Sequence, residues 1–439
     1  MGRSIEADVT IIGAGFSGLA ASVQLSLSGK KIVLLEASPT PGGRARSIPW
    51  GQHTVDNGQH LLIGAYRNVL DHLHSIDVDY NDLFKREHLN LNISNNNKHL
   101  RLCIKNSIFP IIINNLFSLA SATGLSVIEK FQLLRFFGIQ HLHDFRIGTD
   151  RQLHSYLKTL GQSDTLITKF WEPIALAALT TPINKASAQV FLHVLKESFA
   201  NTKGYSDFLF AKTDLGNIFA YPTINWLKSN GHHVFLHHRV TSICPNSTTI
   251  KCKNSLEIKS KQIIIATSSH SIKAFAKDLP LMDIVFDNIA QIQYEPITTV
   301  YLRFCNPVTL SQTMIGMVGS DILGQWYFDR SIQGDPTIIG IVLSGTGPYN
   351  SLSQEDLIAR VNSEVTNFIP ENKLIDTKVI KEKFAAFSAT PKTQKLRPSF
   401  TTEYPNIFLC GDYIKNDFPS TLEGAVMNGK AVANAIINT

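Results

Sequence analysis

The sequence predicts an α/β protein: a parallel sheet assembled from separated pieces of chain, joined to a second region of mixed β-sheet and helices. Three observations predict it. An apolar run, Val9 to Ile12, ends in Gly13-Ala14-Gly15-Phe16-Ser17-Gly18 and passes into a helix-compatible stretch carrying Leu19, Val23, Leu25 and Leu27. A second apolar run, Lys31 to Leu35, ends in Glu36. Near the other end, Asn406 to Tyr413 reads as a strand closing on Gly411-Asp412, and Pro419 leads into a helix with small residues on one face.

Strand, tight turn and helix in this order make a Rossmann-like opening. Gly13 permits the turn, Gly15 lets the backbone approach a pyrophosphate, and Gly18 lets the helix pack closely on the strand. The helix N-terminus, with Phe16 and Ser17 in the turn, faces the phosphate charge. Glu36, followed by Ala37, lies roughly 20 residues beyond the glycines, where an acidic side chain accepts the ribose hydroxyls of an adenosine half. A short Pro/Gly loop then carries Gly42-Gly43-Arg44, a second point of close backbone approach with a guanidinium suited to a phosphate. A nicotinamide-binding fold does not need this second element, so the pattern narrows the cofactor to FAD.

At this point the chain resembles the large FAD superfamily of amine oxidases, phytoene-type desaturases and protoporphyrinogen oxidase, in which the Gly-Gly-Arg element lies along the pyrophosphate. The resemblance implies further roles. Asp412, after Gly411, accepts a ribityl hydroxyl. Backbone amides around Leu422, Glu423, Gly424 and Ala425 face the flavin N1 and O2 side and stabilise negative charge on the reduced ring. The buried-strand pattern from Gln262 to Ala266 rejoins the first sheet, and Val240, in the run Arg239 to Ile243, is a further cofactor-binding candidate. The implied Rossmann-like FAD-binding domain is therefore discontinuous, spanning 1–80, 215–275 and 395–439. The substrate-binding domain, a mixed β-sheet with a helical cap, takes 81–214 and 276–394.

Composition agrees with two sizeable cores: 439 residues, 44% of them hydrophobic. The net charge of +6 suits an anionic surface such as lipid headgroups as well as an ordinary basic soluble protein. No arginine-rich run with interleaved aromatics is present, so nucleic acid is not expected as a partner. The five cysteines, Cys103, Cys244, Cys252, Cys305 and Cys410, have no C-x-x-C spacing; that fits a reducing, cytoplasmic setting without disulfides or a metal site. His232, His233, His237 and His238 fall on strand-like runs that turn neighbouring rings to opposite faces, and no metal is expected there.

Between the cofactor pieces, the asparagine-rich stretch between Leu89 and Leu102 reads as a hairpin turn. A helical region runs from about Leu116 to Phe199, with start signals at Thr149-Asp150 and Ser163-Asp164. Strand-like runs follow at His233 to Leu236, Thr248 to Cys252, Thr298 to Phe304 and Thr337 to Leu343. Ser107 to Ala122 is strongly apolar, and the amphipathic stretch after it carries Lys130, Phe131, Leu133, Leu134, Phe136 and Phe137. Three readings stand: a contact peripheral on the inner face of the cytoplasmic membrane, the mouth of a lipid-binding tunnel, or a buried helix. No apolar run reaches the roughly 18 residues of a membrane span.

Val55-Asp56-Asn57-Gly58-Gln59-His60, the stretch Trp171 to Leu195, Gln325 to Arg330, and Phe418 to Val426 together resemble hydroxysqualene dehydroxylase over nearly the whole chain. That family removes the hydroxyl of hydroxysqualene with reduced FAD, giving squalene and water in hopanoid and squalene synthesis. The resemblance implies a hydrophobic isoprenoid substrate and an electron donor that the sequence does not name. It also places Asn57, Gly58, Gln59 and His60 beside the flavin. His60, with a reference pKa near 6.5, is the first candidate for the acid that protonates the leaving oxygen, and Asp56 the second. Trp171, Trp326 and Tyr327 are candidates for a squalene tunnel or for core. The chain departs from the family pattern at Tyr413, Asn416-Asp417 and Met427-Asn428, which bear on local contacts near the flavin. Alternatives on the same fold are a carotenoid-type desaturase, an amine oxidase, for whose aromatic cage only Tyr413 and Phe418 are at hand, and a prenyl-lipid escort without flavin.

Overall fold

The computed structural model describes residues 4–95, 98–104, 111–200, 202–319, 321–366, 369 and 372–438. The centre of the asparagine-rich turn and residues 107–110 of the apolar segment lie outside these.

The first sheet gathers strands from widely separated parts of the chain. In order across it run His233–Phe235, Ile32–Leu35, Ser4–Ile12, Glu257–Ile265, Thr249–Cys252 and Val240–Cys244, with Ile407–Leu409 also pairing Glu257–Ile265. The Ile32–Leu35, Ser4–Ile12, His233–Phe235, Glu257–Ile265 and Ile407–Leu409 ladders are parallel. Such strands are covered on both faces, which explains the unbroken Ile, Val and Leu runs from which they are built. On one face Phe16–Leu27 packs on Leu422–Ile437. The small residues allow that approach: a Cβ on Gly429 would lie 2.2 Å from the Ser17 carbonyl oxygen.

The second sheet has the order Leu374–Phe387, Tyr294–Phe304, Ile338–Ser344, Trp326–Asp329, Met314–Met317, Leu89–Asn95, Lys98–Ile104. Its alternation separates two environments. Ile315, Tyr327, Ile339, Ile341 and Leu343 point into a core completed by Leu357, Val361 and Val365 of the helix Gln354–Thr366. Met314, Trp326, Phe328 and Val342 point the other way, into a cavity. Tyr327 is thereby removed from the tunnel candidates, its hydroxyl donating to Glu364.

Helices over that cavity form the cap: Ile111–Ser121, Val127–Leu142, Leu153–Thr159, Glu172–Leu179 and Ala188–Phe199. Ser126 and Glu129 cap the second reciprocally, and Ser163 caps Asp164–Leu166 as its sequence suggests. Thr149-Asp150 does not start a helix. Gln152 is the N-cap of Leu153–Thr159, and the Asp150 carboxylate instead accepts from the Ser187 hydroxyl at 2.7 Å and the Gln189 amide at 3.1 Å, serving the start of Ala188–Phe199. The histidine quartet disperses: His232 Nε2 bonds the Ser26 hydroxyl and His238 Nδ1 the Leu236 carbonyl, both at 2.6 Å.

Candidate active site

Two glycine turns meet at the C-terminal ends of the parallel strands. Gly13 sits at φ +115°, and a Cβ there would come within 2.6 Å of the Ala266 carbonyl oxygen. Gly18 packs equally tightly on the Gly13 carbonyl, so its part is in helix packing, off the cavity wall. Gly15 differs: a Cβ there would meet nothing within 4 Å. The open space above it is bounded by the second turn, because Gly15 bridges Gly42 and the Gly42 amide donates to the Ala14 carbonyl at 2.8 Å. Gly43, at φ +62°, brings its own face to Gly15 Cα.

Around this cradle the side chains are already oriented. Glu36 accepts from the Ala14 and Ser38 amides at 2.8 and 2.7 Å, which fixes its carboxylate at the cavity wall beside Ala37. Arg44, read from sequence as a phosphate ligand, reaches across to Asp412 at 2.5 Å and to the Ala385 carbonyl at 2.9 Å. Burial alone would raise the Asp412 carboxyl, but the Arg44 guanidinium and hydrogen bonds from Ser420 and Arg44 hold it below the ordinary carboxylate range. Phe16, Ser17, Val240, Gly411, Leu422 and Ala425 complete this end of the wall.

The loop bearing Asp412 is held by a residue that sequence reading missed. Arg397 is buried and donates to the carbonyls of Asp412, Ile414, Asn416 and Phe418 at 2.7–3.0 Å. Asn428, one of the departures from the family pattern, accepts from the Gly411 amide at 2.9 Å and ties the last helix to the same loop. An arginine shortly before the last strand was the available signal for Arg397, but nothing in the sequence says which carbonyls it meets.

Five of the expected site residues turn away from the wall. Asp56 is buried behind it, its carboxylate accepting from the Leu215 amide at 2.8 Å, and burial raises its pKa to about 7. It anchors a strand end and has no access to a substrate. Asn57 donates to the Arg44 carbonyl at 3.0 Å and to Glu382 at 2.9 Å, and Gly58, at φ +104°, makes the turn behind it. Glu423 is the N-terminal anchor of the helix Arg67–Ser75, accepting from the amides of Asn68 and Val69. Gly424 lies under Phe418.

Gln59 and His60 do line the cavity. Burial, aided by the positive charge of Arg44, pushes the His60 pKa down to about 4. The ring is therefore neutral near pH 7, which corrects its reading as an acid with an ordinary pKa. His60 Nδ1 and Thr267 Oγ1 are buried in this wall with no hydrogen-bond partner. Together with the open cradle over Gly15, these atoms fit a large ligand bearing phosphates, hydroxyls and ring heteroatoms, as FAD does.

From this polar end the same cavity, about 1060 Å³ in volume, continues between the second sheet and the cap. There the wall is Leu91, Phe137, Phe170, Trp171, Trp326 and Phe328, among others. Trp171 donates to Gln162 at 2.9 Å, so its polar edge is satisfied and its body is left to the apolar wall. Phe418 reaches the cavity while Tyr413 is buried off it, so this aromatic pair frames no cage.

A family model described as flavin-containing amine oxidoreductase matches residues 16–437. The chain belongs to this family. It is an FAD-dependent oxidoreductase, as the glycine cradle and the matched family together establish. Among curated relatives, hydroxysqualene dehydroxylases of Zymomonas mobilis subsp. mobilis and Rhodopseudomonas palustris are 23% and 22% identical, each aligned over 98% of both chains. A zeta-carotene desaturase of Zea mays is 23% identical over 98% of this chain and 83% of its own. Solved structures with the same fold include putrescine oxidase, TM-score 0.73 at 15% identity over 100% of both chains. Cyclohexylamine oxidase from Brevibacterium oxydans has TM-score 0.71 at 14% identity over 98% of this chain and 99% of that one. Among the described residues no helix is long and apolar enough to cross a membrane.

Proposed function

We propose that this flavoenzyme reductively dehydroxylates hydroxysqualene to squalene. The observation that carries the reading is the single cavity joining the glycine cradle to a long apolar chamber, supported by full-length similarity to proteins named for that reaction. When bound in its two-electron-reduced form, FAD would supply the hydride that replaces the hydroxyl on the allylic carbon, and the remaining proton of the reduced flavin would balance the loss of hydroxide as water, leaving oxidised FAD.

The chain's own residues have separate tasks in this reading. The Gly13, Gly15, Gly42 and Gly43 backbone and the helix starting at Phe16 receive the pyrophosphate, Glu36 the adenosine ribose, and Asp412 the ribityl chain. Arg44 holds Asp412 ionised and in place. The amides of Leu422 and Glu423, at the start of the last helix, balance charge at the flavin, while those of Gly424 and Ala425 are held by Thr421. His60, as a neutral ring, donates or accepts a hydrogen bond without carrying charge. Leu91, Phe170, Trp171, Trp326 and Phe328 exclude water, so that an electron-poor allylic carbon is not recaptured as alcohol.

Zeta-carotene desaturases match with comparable identity, and they define the second reading: hydride removal from an isoprenoid by oxidised FAD. The two separate in one pair of anaerobic incubations. Dithionite-reduced protein with hydroxysqualene is expected to yield squalene as the flavin reoxidises. Product formed only from oxidised protein with a carotene precursor would overturn the proposal.

A further inference from the structure

The cap helices Ile111–Ser121 and Val127–Leu142 carry an apolar surface that the fold leaves uncovered. Val127, Ile128, Phe131 and Leu142 are 83, 70, 66 and 85% exposed. Ile128, Phe131, Arg135, Gly138 and Leu142 recur at helical spacing on one stripe, whereas Leu133, Phe136 and Gln140 form the buried face. Val127, Ile128 and Phe131, within one turn of each other, put exposed apolar side chains together on one side of the helix, and such a patch on a folded chain marks a contact.

Two features identify what it contacts. The first is charge. Ile111–Ser121 has no charged residue, and on Val127–Leu142 the lone acid, Glu129, is turned inward to cap the helix at Ser126. The basic groups beside this surface are Arg135, exposed on the stripe, and half-buried Lys130 at its flank, whose ammonium also donates to the Ala120 carbonyl at 2.7 Å, and their charge suits anionic headgroups. The second is continuity with the cavity. Leu116 belongs both to the cavity wall and to the exposed surface, and Phe137 and His141 line the chamber from the same helix that turns Phe131 and Leu142 outward. These helices, of 11 and 16 residues, are too short to span a bilayer and suited to lie in its interface.

We propose that this helical hairpin docks on an anionic lipid bilayer and that the isoprenoid passes from the membrane into the cavity between the two helices. The passage rests on the function proposed above; the docking does not. In it, the exposed side chains enter the headgroup and acyl boundary, Lys130 and Arg135 meet lipid phosphates, and an apolar substrate reaches the chamber without crossing water.

The test uses the full FAD-loaded protein, with no substrate, and vesicles of phosphatidylglycerol and phosphatidylcholine. The parent is expected to co-sediment with them, more weakly with phosphatidylcholine alone. Ile128→Asp/Phe131→Asp is expected to lower the bound fraction about ten-fold or more, with an unchanged flavin spectrum and unchanged mass by light scattering. Leu281→Asp/Ile284→Asp, at another exposed apolar pair, should leave binding intact and controls for general damage. Equal co-sedimentation of parent and first variant would overturn the proposal. So would a parent dimer that the first variant dissolves, since the stripe would then join two copies. Failure of the dehydroxylation reading would show in the separate anaerobic incubation, as absent squalene from a protein whose lipid binding is intact, a result that still supports docking.

Discussion

The Arg44 guanidinium and the Asp412 carboxylate, 368 residues apart in sequence, meet at 2.5 Å. The pair is where the second glycine turn and the last strand of the first sheet are fastened together. Neither group is free to be removed alone, because a buried charge would be left without its partner.

Arg44→Met is therefore expected to destabilise the protein by roughly 3–5 kcal/mol and to release Asp412 from its lowered pKa. Flavin titration of the apo-protein should show weaker binding that deteriorates further below pH 6, as the freed carboxyl protonates. Unchanged affinity across pH would show that Asp412 does not depend on Arg44.

Gly13 and Gly15 make a sharper pair. Gly13→Ala puts a Cβ 2.6 Å from the Ala266 carbonyl oxygen at a positive φ, so loss of folding is expected even without cofactor. Gly15→Val meets open space in the protein, so the apo-protein should melt within a few degrees of the parent while FAD occupancy collapses. Equal thermal loss in both apo-proteins would refute the assignment of that space to the cofactor.

With its pKa near 4, His60 should impose no change on turnover between pH 6 and 8. His60→Ala is expected to slow turnover about ten-fold, the scale of one buried hydrogen bond, and His60→Gln to recover part of it. A rate that falls as pH rises through 6.5, with the limb abolished in His60→Ala, would restore the protonated acid and discard the neutral ring.

His72, stacked on Phe219 and bonded to the Thr223 hydroxyl, is pushed down to about 3 by burial. Its folded-state pKa lies below the unfolded value, so its contribution is complete above pH 6.5 and is lost as pH falls from 6.5 toward 3. Between pH 6.5 and 5 this amounts to about 2 kcal/mol. Denaturant unfolding of apo-protein should show a shallower acid decline in His72→Leu than in the parent. Parallel declines would assign the acid limb to other groups.

What was legible in the sequence was local in origin. Gly13, Gly15, Glu36 and Gly42-Gly43 declare themselves because a tight turn, a close backbone approach and a ribose contact each demand one residue type at a short, fixed spacing. For Trp326 and Tyr327 the sequence left tunnel and core both open, because neighbours on a strand point to opposite faces. Which face met the cavity awaited the helix Gln354–Thr366, which covers the other.

The rest depended on partners hundreds of residues away. Asp56 and Glu423 are acidic residues within matched motifs, yet one is spent on the Leu215 amide and the other on the helix at Asn68. His60 keeps its place at the site but loses its expected charge, because the pKa of a ring depends on how much protein surrounds it. Arg397 could not be singled out, since its value lies in four carbonyls presented by a loop that only folding positions. The sequence by itself determined the cofactor cradle, through short-range backbone geometry. Tertiary packing alone decided which polar groups face the cavity, because burial and long-range hydrogen bonds are properties of the assembled chain.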